Sequence, residues 1–487
     1  MQVYQKIGDE VILLYNPSKE EVIVGENLLI ADNSRKKGIL VQVFEQNLVE
    51  LPGILEELIR KESLAEMKVQ EHVPEGYQKF TVDLKNMKFA RARVRKEVDL
   101  EKGEILDWSG WVPDRSSEVK PIKDEWILGK LKIGKKDFYK NPIYLGKTNY
   151  NGNDFYISAY DLQGITIVVG KKGTGKSHLT KAMLLGLVDL GAIGIVFDIN
   201  DEYSPMIKTI DGKESPYSIK LITLDPGKNL KFTLDYVGRD VFIDVVTAAL
   251  ELSEASTIEL MNIWDRLVQG NSLNFQNLFT AAKRVESSSV RSALIRRLNR
   301  IEESKLFVDD PEQAITLEKE IGKITEGGAL IINLKAKNIF TIYLVVQTIL
   351  SKIERLLEEG ILRPIFFFAE EAHTYFPRTN WVDVVTRMRH LGAYQIYITN
   401  TPTELDDIVI RQADNLFAFQ LSEPKDITHI APAAKLEVET IEKVVKSLPP
   451  KRCLVIGRVT EDYPFIIDVR SLEVQAAGET KRFFHER

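Results

Sequence analysis

The sequence predicts an α/β protein: a mostly parallel sheet covered by helices, carrying a helical insertion and preceded by a small β-barrel. Three observations predict it. From Leu162 onward apolar strands alternate with long amphipathic helices, as in GITIVVG, HLTKAMLLGLVDL and AIGIVFD, and such a βαβ rhythm requires parallel strands with helices packed across them. Before about Leu100 the chain runs instead in short period-two segments, EVILLYN, EEVIVGENLLIAD, KGILVQVFE and KFARARVRKEVDL, the pattern of a small barrel or sandwich. Between about Asp235 and Leu317, STIELMNIWDRLV and SVRSALIRRLNRIEESKLF read as helices without an intervening buried strand.

In chain order, the start MQVYQKIGDEVILLY alternates as a strand does and lacks the character of a signal peptide. A helical segment with Leu55, Leu58 and Ile59 on one face interrupts the early strands. The turn-rich DWSGWVPDRSS places the boundary within about residues 101–125, giving a barrel domain of about residues 1–120 and a larger domain of 121–487 that contains the insertion at about 235–317. The sheet resumes with ALIINL, IFFFAEEAH, YQIYITN and NLFAFQL, and the apolar first half of IFTIYLVVQTILSKIERLLEE faces the core. RCLVIGRV and PFIIDV are expected as edge strands, followed by the tail EVQAAGETKRFFHER.

Composition narrows the class. A chain of 487 residues holds about three domains' worth of sequence, and 44% hydrophobic with 28% charged residues is ordinary globular composition. Cys453 is the single cysteine, which excludes an intramolecular disulfide and a cysteine-based metal cluster and points to a reducing, cytoplasmic setting. With 65 Lys and Arg against 71 Asp and Glu the chain is not a basic nucleic-acid coat, although a ring can keep positive charge in a channel while its outside stays acidic. The longest apolar run, AIGIVF with its neighbours, is interrupted by Asp189 and Asp198, so no membrane span is predicted.

The sharpest chemical signal is Gly170-Lys171-Lys172-Gly173-Thr174-Gly175-Lys176-Ser177, placed directly after the strand ITIVV and before a helix. Glycines at this spacing let backbone N–H groups curl around phosphates, the helix N-terminus adds partial positive charge, Lys176 reaches the β- and γ-phosphates and Ser177 ligates Mg²⁺. The binding set is the loop itself with His178 after it. ATP and Mg²⁺ are therefore the expected ligands. A second acidic element should end another buried strand, and IFFFA followed by Glu370 and Glu371 meets that requirement. Glu370 is assigned to the Mg²⁺ shell through water and Glu371 to positioning and polarising the attacking water. His373 either contacts the γ-phosphate or its water, or is satisfied by backbone at a helix start. GIVFD followed by INDEY places Asp198, Asp201 and Glu202 on a third loop at the same rim, Asp198 as loop architecture and Glu202 as either functional or a cap. YQIYITN ends at Thr399-Asn400, where a polar side chain can sense the γ-phosphate, while Arg387, Arg389 and Arg411 are the candidate arginines nearby.

These residues together resemble the HerA/FtsK superfamily of hexameric P-loop ATPases, most closely the HerA type of DNA translocase. GKKGTGKS is similar to that family's phosphate loop, FDINDEY to its Gly-Glu-Tyr element, FAEEAH to its acidic strand end, and RMRHLGAYQIYITNTPTEL with RQADNLFAFQL to its sensor strand and the segment beyond it. VGENLLIADNSRKKGILVQVFE resembles its amino-terminal barrel. The resemblance implies a RecA-like P-loop ATPase core, a hexameric homo-oligomer around double-stranded DNA, hydrolysis at subunit boundaries and a nuclease partner in end resection. It gives Asn400 the sensing role and makes Arg389 a finger reaching the neighbouring subunit's site. Asp201 stands where the family commonly has glycine and Asn400 where glutamine is commoner. A conjugation or protein-translocation ATPase, or a nucleotide-controlled assembly module without DNA-stimulated turnover, stands as the alternative.

Two basic groups outside the loop bear on the load: Arg91, Arg93, Arg95 and Lys96 in a strand, and Arg291, Arg296, Arg297 and Arg300 in a helix. Period-two spacing puts Arg91, Arg93 and Arg95 on one strand face, suited to an anionic surface or an acidic neighbour. No zinc finger, RNA-binding signature or helix-turn-helix is visible, so base-specific recognition is not expected.

Overall fold

A computed structural model describes residues 1–48, 87–148, 152–375 and 387–476. The helix expected around Leu55, Leu58 and Ile59 and most of the closing tail lie outside these residues.

The first sheet is antiparallel and seven-stranded. Its strands are β1 (Gln2–Ile7), β2 (Glu10–Tyr15), β3 (Asn27–Asp32), β4 (Lys37–Leu48), β5 (Lys88–Asp99), β6 (Glu104–Leu106) and β7 (Glu118–Pro121). The order is β1-β2-β5-β4-β3-β7, with β6 paired to β5. Register shifts between Leu40 and Val41 and between Val43 and Glu45 bend the long β4–β5 pair. The outer strands β1 and β7 consequently come near one another and the sheet curls into a half-barrel. Alternation fills its inside: Val11, Leu13, Leu28, Ile30, Ile39, Val41, Ala90 and Ala92 form one buried cluster.

Because Ala90 and Ala92 point inward, Arg91, Arg93 and Arg95 take the other face, and that face meets acid from the same chain. Arg91 bonds Glu10 at 2.5 Å, Glu45 at 2.5 Å and Glu439 at 2.8 Å. Arg93 bonds Asp9 at 2.6 Å and Glu439 at 3.2 Å, and Arg95 reaches Glu437 at 3.4 Å. Glu437 stands at the N-cap position and Glu439 in the first turn of the helix Val438–Ser447 of the larger unit. The acidic neighbour of the arginine strand is thus internal, and the strand fastens the half-barrel to the rest of the protein. Tyr463 Oη to Asn27 Oδ1 at 2.8 Å and Gln42 Nε2 to the Pro464 carbonyl at 3.0 Å close the same seam.

The larger sheet has eleven strands. They are β8 (Pro142–Thr148), β9 (Asp154–Ser158), β10 (Ile165–Val169), β11 (Ile193–Asp198), β12 (Leu221–Leu224), β13 (Gly328–Asn333), β14 (Ile365–Glu370), β15 (Ala393–Thr399), β16 (Asn415–Ala418), β17 (Arg452–Gly457) and β18 (Phe465–Val469). Their order is β12-β13-β11-β14-β15-β10-β16-β17-β18-β8-β9. From β12 to β16 neighbours are parallel, and from β16 to β9 they are antiparallel.

Both faces of the parallel half are buried, which explains runs such as ITIVV and IFFFA that do not alternate. Ile167, Phe197 and Phe367 pack into one core with the long helix Ile339–Glu358 and the helices that lie between Leu234 and Gly322. Val168, Val196 and Phe368 pack into the other with the helix Lys176–Asp189. The described residues include no helix long and apolar enough to cross a membrane.

The expectation of edge strands at the end of the chain is corrected. RCLVIGRV and PFIIDV form β17 and β18 inside the sheet, and the edges are β12 and β9. The β8–β9 hairpin, short and interrupted by Gly146, extends the sheet beyond β18 and was not legible as strands of this sheet.

Candidate functional site

Strand order decides which loops meet. Strand β15 lies between β10 and β14, with Val169 opposite Thr399 and Ile398 opposite Glu370. On the far side of β14, Phe197 stands opposite Ala369. The loop after β10, Asn400 after β15, Glu371 after β14 and the Asp198–Tyr203 segment after β11 therefore leave the sheet at one edge, the ligand-binding edge of a parallel sheet.

The glycine loop has the backbone its sequence requires. Gly170, Gly173 and Gly175 have φ of 151°, 80° and 119°, and Gly175 is the N-cap of the helix Lys176–Asp189. A Cβ on Gly170 would lie 2.5 Å from Phe419 Cβ, and one on Gly175 3.3 Å from Lys451 Cα. The loop is held from that side as well: Lys171 N donates to the Gln420 carbonyl at 2.9 Å and Lys451 N to the Thr174 carbonyl at 2.8 Å. Thr174 Oγ1 donates to the Lys171 carbonyl at 2.7 Å.

Lys176 is buried, its Nζ donating to the carbonyls of Gly170 at 2.7 Å and Lys171 at 3.0 Å. Burial lowers its pKa, while Glu371, Glu370 and Glu202 act in the opposite direction. Lys171 and Lys172 are exposed and Ser177 is half-buried. His178 Nε2 bonds the Arg470 carbonyl at 2.7 Å, which ties its ring to the end of β18.

The acidic side is more tightly built. Glu370 is buried and accepts from Tyr203 Oη at 2.7 Å. Burial first, then Glu202 and Asp198, push its pKa up to about 8 against the Tyr203 hydrogen bond and Lys181. Glu371 is left-handed, φ 45°, at the start of the short turn Ala372–Thr374. Its Oε1 accepts from Asn400 Nδ2 at 3.4 Å, and among the described residues its buried Oε2 has no hydrogen-bond partner, with His373 Nδ1 3.5 Å away. His373 Nδ1 also lies 3.0 Å from Thr399 Oγ1.

Asp198 is loop architecture: its two oxygens accept from the backbone N–H groups of Glu202 at 3.0 Å and Tyr203 at 2.9 Å. Glu202 Oε2 is 3.4 Å from the buried Lys181 Nζ. Asp201, φ 59°, lies 3.4 Å from Lys335 Nζ. Sequence reasoning passed over Tyr203, Thr180 and Lys181, although the tyrosine closes the DEY run and the other two follow the loop lysine by about one helical turn.

Arg389 is elsewhere. It precedes β15 and pairs at 3.0 Å with Asp414, which precedes β16 and accepts the Ile165 N–H at 2.9 Å. All three positions are at strand starts, the edge opposite the phosphate loop. Arg387 lies 3.7 Å from Glu354, and Arg411 Nε donates to the Asp407 carbonyl at 3.3 Å.

The residues present fit a nucleoside triphosphate with one divalent cation. Among the described residues the N–H groups of Gly173 and Gly175 have no acceptor, and the Ser177 hydroxyl has no partner. Among the described residues no group of three or more His, Cys, Asp or Glu forms a metal cage.

The raised pKa of Glu370 carries a pH prediction for nucleotide-free, Mg²⁺-free protein. Its carboxyl titrates near 4.5 when unfolded and near 8 when folded. The folded state therefore binds the extra proton, and the group's contribution is fully present below 4.5 and lost as pH rises through about 8. Glu370→Gln, a neutral mimic, should melt close to the parent at pH 5 and above it at pH 8.5, by roughly a few kcal/mol. Thermal melts of both proteins across that range check it; parallel curves would refute it.

Comparison with known proteins bears on the same region. The family described as "Helicase HerA, central domain" matches residues 143–353, from β8 through most of the long helix and including the glycine loop. Over that region the chain resembles the HerA/FtsK-like superfamily of P-loop ATPases. That likeness supports a nucleotide-binding, nucleotide-hydrolysing activity. The chain is 22% identical over 378 residues to the DNA double-strand break repair helicase HerA of Sulfolobus acidocaldarius, covering 72% of this chain and 73% of that protein. It is 22% identical over 387 residues to the HerA of Sulfurisphaera tokodaii, with coverage of 72% and 73%. Among solved structures, the bacterial conjugative coupling protein TrwB superposes with a TM-score of 0.51 at 14% identity, covering 74% of this chain and 94% of that one. VirB4 of Thermoanaerobacter pseudethanolicus superposes with a TM-score of 0.51 at 14% identity, covering 68% and 97%. At such identities the likeness to TrwB and VirB4 speaks to the fold. The matched family region ends before β14, so Glu370, Glu371 and Asn400 rest on the sheet-edge geometry.

Proposed function

We propose that this protein is a Mg²⁺-dependent ATPase that moves a macromolecule through a ring of identical subunits, most simply a hexamer. The observation that carries the hydrolytic part is the row at one sheet edge: a glycine loop with open N–H groups, Lys176 beside it, and Glu370 and Glu371 across from it with Asn400 between. Mg²⁺ would neutralise charge on the β- and γ-phosphate oxygens. Lys176 would exchange its two carbonyl partners for phosphate oxygens, Ser177 and Glu370 would hold the metal, Glu370 through water, and the open N–H groups of Gly173 and Gly175 would orient the phosphates. Glu371, whose buried Oε2 lacks a partner among the described residues, holds and polarises the attacking water, and Asn400 fixes the other carboxylate oxygen. Arg389 lies too far from its own loop to serve it, so as a finger it acts only across a subunit boundary and must first leave Asp414.

The load is read as a macromolecule in the conjugation or protein-translocation sense ahead of end resection with a nuclease. Much of the basic character that would argue for a grip on duplex phosphates is engaged within the chain. Arg91, Arg93 and Arg95 face Glu and Asp partners. Arg297 donates to the carbonyls of Leu250 at 3.1 Å and Glu251 at 2.9 Å, and Arg300 lies 3.7 Å over the Phe340 ring. Duplex DNA is the second reading, supported by the names of the HerA relatives. ATP turnover with triplex displacement on linear duplex across a salt series separates the two. Stimulation and ATP-dependent displacement that weaken with salt establish the DNA load; turnover indifferent to duplex supports the first reading.

A further inference from the structure

Tyr203 is fully buried, and its hydroxyl joins two elements that the ATPase site must keep in step. On one side it lies 2.7 Å from Thr180 Oγ1, in the helix Lys176–Asp189, three residues after Ser177. On the other it donates to Glu370 Oε1 at 2.7 Å. With one proton per hydroxyl, Tyr203 gives its own to Glu370, and its oxygen faces the Thr180 hydroxyl, whose proton is shared with the Ser177 carbonyl at 3.2 Å. Its backbone is also fixed, since Asp198 Oδ2 accepts its N–H at 2.9 Å, and Lys181 Nζ lies 5.4 Å over its ring. The side chain is therefore a short rigid strut between the phosphate-loop helix and the end of β14.

The geometry points to Tyr203 as a positioning residue for the divalent cation: through Thr180 and Glu370 it sets the distance between the two elements that carry Ser177 and the acidic pair. The inference rests on the ATPase reading and goes beyond it, because Tyr203 touches neither phosphate nor metal. A buried tyrosine that only filled space would place a ring here; the hydroxyl, at hydrogen-bonding distance from both elements, does something a phenylalanine cannot. With Oε1 engaged by Tyr203, Glu370 has its other oxygen available for a metal-bound water.

The substitution Tyr203→Phe keeps the ring and removes only the link. The variant should remain folded by circular dichroism and bind a fluorescent ATP analogue in EDTA as the parent does. Its gain in analogue affinity on adding Mg²⁺ should be about tenfold smaller, and the free Mg²⁺ giving half-maximal turnover should rise by a similar factor. The KM for ATP at saturating Mg²⁺ should change less than twofold. A structural role alone would lower the melting temperature without moving the Mg²⁺ dependence, and an unchanged Mg²⁺ dependence overturns the inference. If Tyr203→Phe does not fold, Thr180→Val breaks the link from the helix side and is read by the same criterion, with Thr180→Ser expected to restore it. Lys176→Ala, measured alongside, separates the two readings. If it binds the analogue like the parent, the phosphate-loop reading fails; if it loses binding while Tyr203→Phe shows normal Mg²⁺ dependence, only the positioning role fails.

Discussion

Lys176→Ala should abolish turnover and weaken triphosphate binding by about a hundredfold or more, near 3 kcal/mol. The ammonium is buried, lies within hydrogen-bonding distance of two loop carbonyls, and is the cation through which Glu371, Glu370 and Glu202 act on the loop. Removing it withdraws the phosphate partner and leaves the Gly170 and Lys171 carbonyls without their donor. It also leaves Lys181 as the remaining buried ammonium beside the acidic cluster. Lys176→Met keeps most of the stem's volume, so agreement between the two variants assigns the loss to charge and not to packing. Equilibrium binding of a fluorescent ATP analogue and steady-state phosphate release are the measurements. Turnover near the parent's in either variant would remove the loop from the mechanism.

Glu371→Gln should behave differently. Binding should stay within about twofold of the parent while kcat falls by roughly a hundred- to ten-thousandfold, the range expected when a group that takes up or orients a reacting proton is lost. The amide is the same size and keeps a carbonyl oxygen for Asn400 Nδ2, now 3.4 Å from Oε1. What it lacks is the carboxylate charge and the free lone pairs of Oε2. A stable ATP complex trapped on the variant, seen by filter binding with radiolabelled nucleotide, is the expected signature. If Glu371→Gln turns over like the parent while Glu370→Gln does not, the two carboxylates exchange roles, and the partnerless Oε2 of Glu371 is structural.

Several parts of this site could be read from the chain because their physics is local. A glycine loop needs only its own residues and the strand and helix that flank it, so GKKGTGKS was sufficient to place Gly170 to Ser177 at a helix N-terminus. IFFFA ending in Glu370 and Glu371 was legible because an apolar strand that emerges into two carboxylates carries an unusual desolvation cost. Asp198 was legible as loop architecture, and the half-barrel and helical insertion followed from period.

Other parts depended on strand order, which period does not encode. That β15 separates β10 from β14, bringing Asn400 to Glu371, comes from the sheet and not from YQIYITN alone. The Arg91 strand illustrates the same limit. Spacing put its arginines on one face, but its partner Glu439 is 348 residues away, and until the chain is folded an arginine face reads equally as a surface for DNA.

By itself the sequence determined the local elements of this protein: a glycine loop at a helix N-terminus, a pair of carboxylates at a strand end and the α/β core that carries them, because each is specified by neighbours within a few residues. Only the tertiary structure decided which groups stand together. It brought Tyr203 to Thr180 and Glu370, 23 and 167 residues away, turned Arg93 toward Asp9 and Glu439, and set Arg389 against Asp414 at the far edge of the sheet. The physical reason is that a buried polar group must find a partner wherever the fold supplies one, and which partner arrives is fixed by the packing of whole strands and helices.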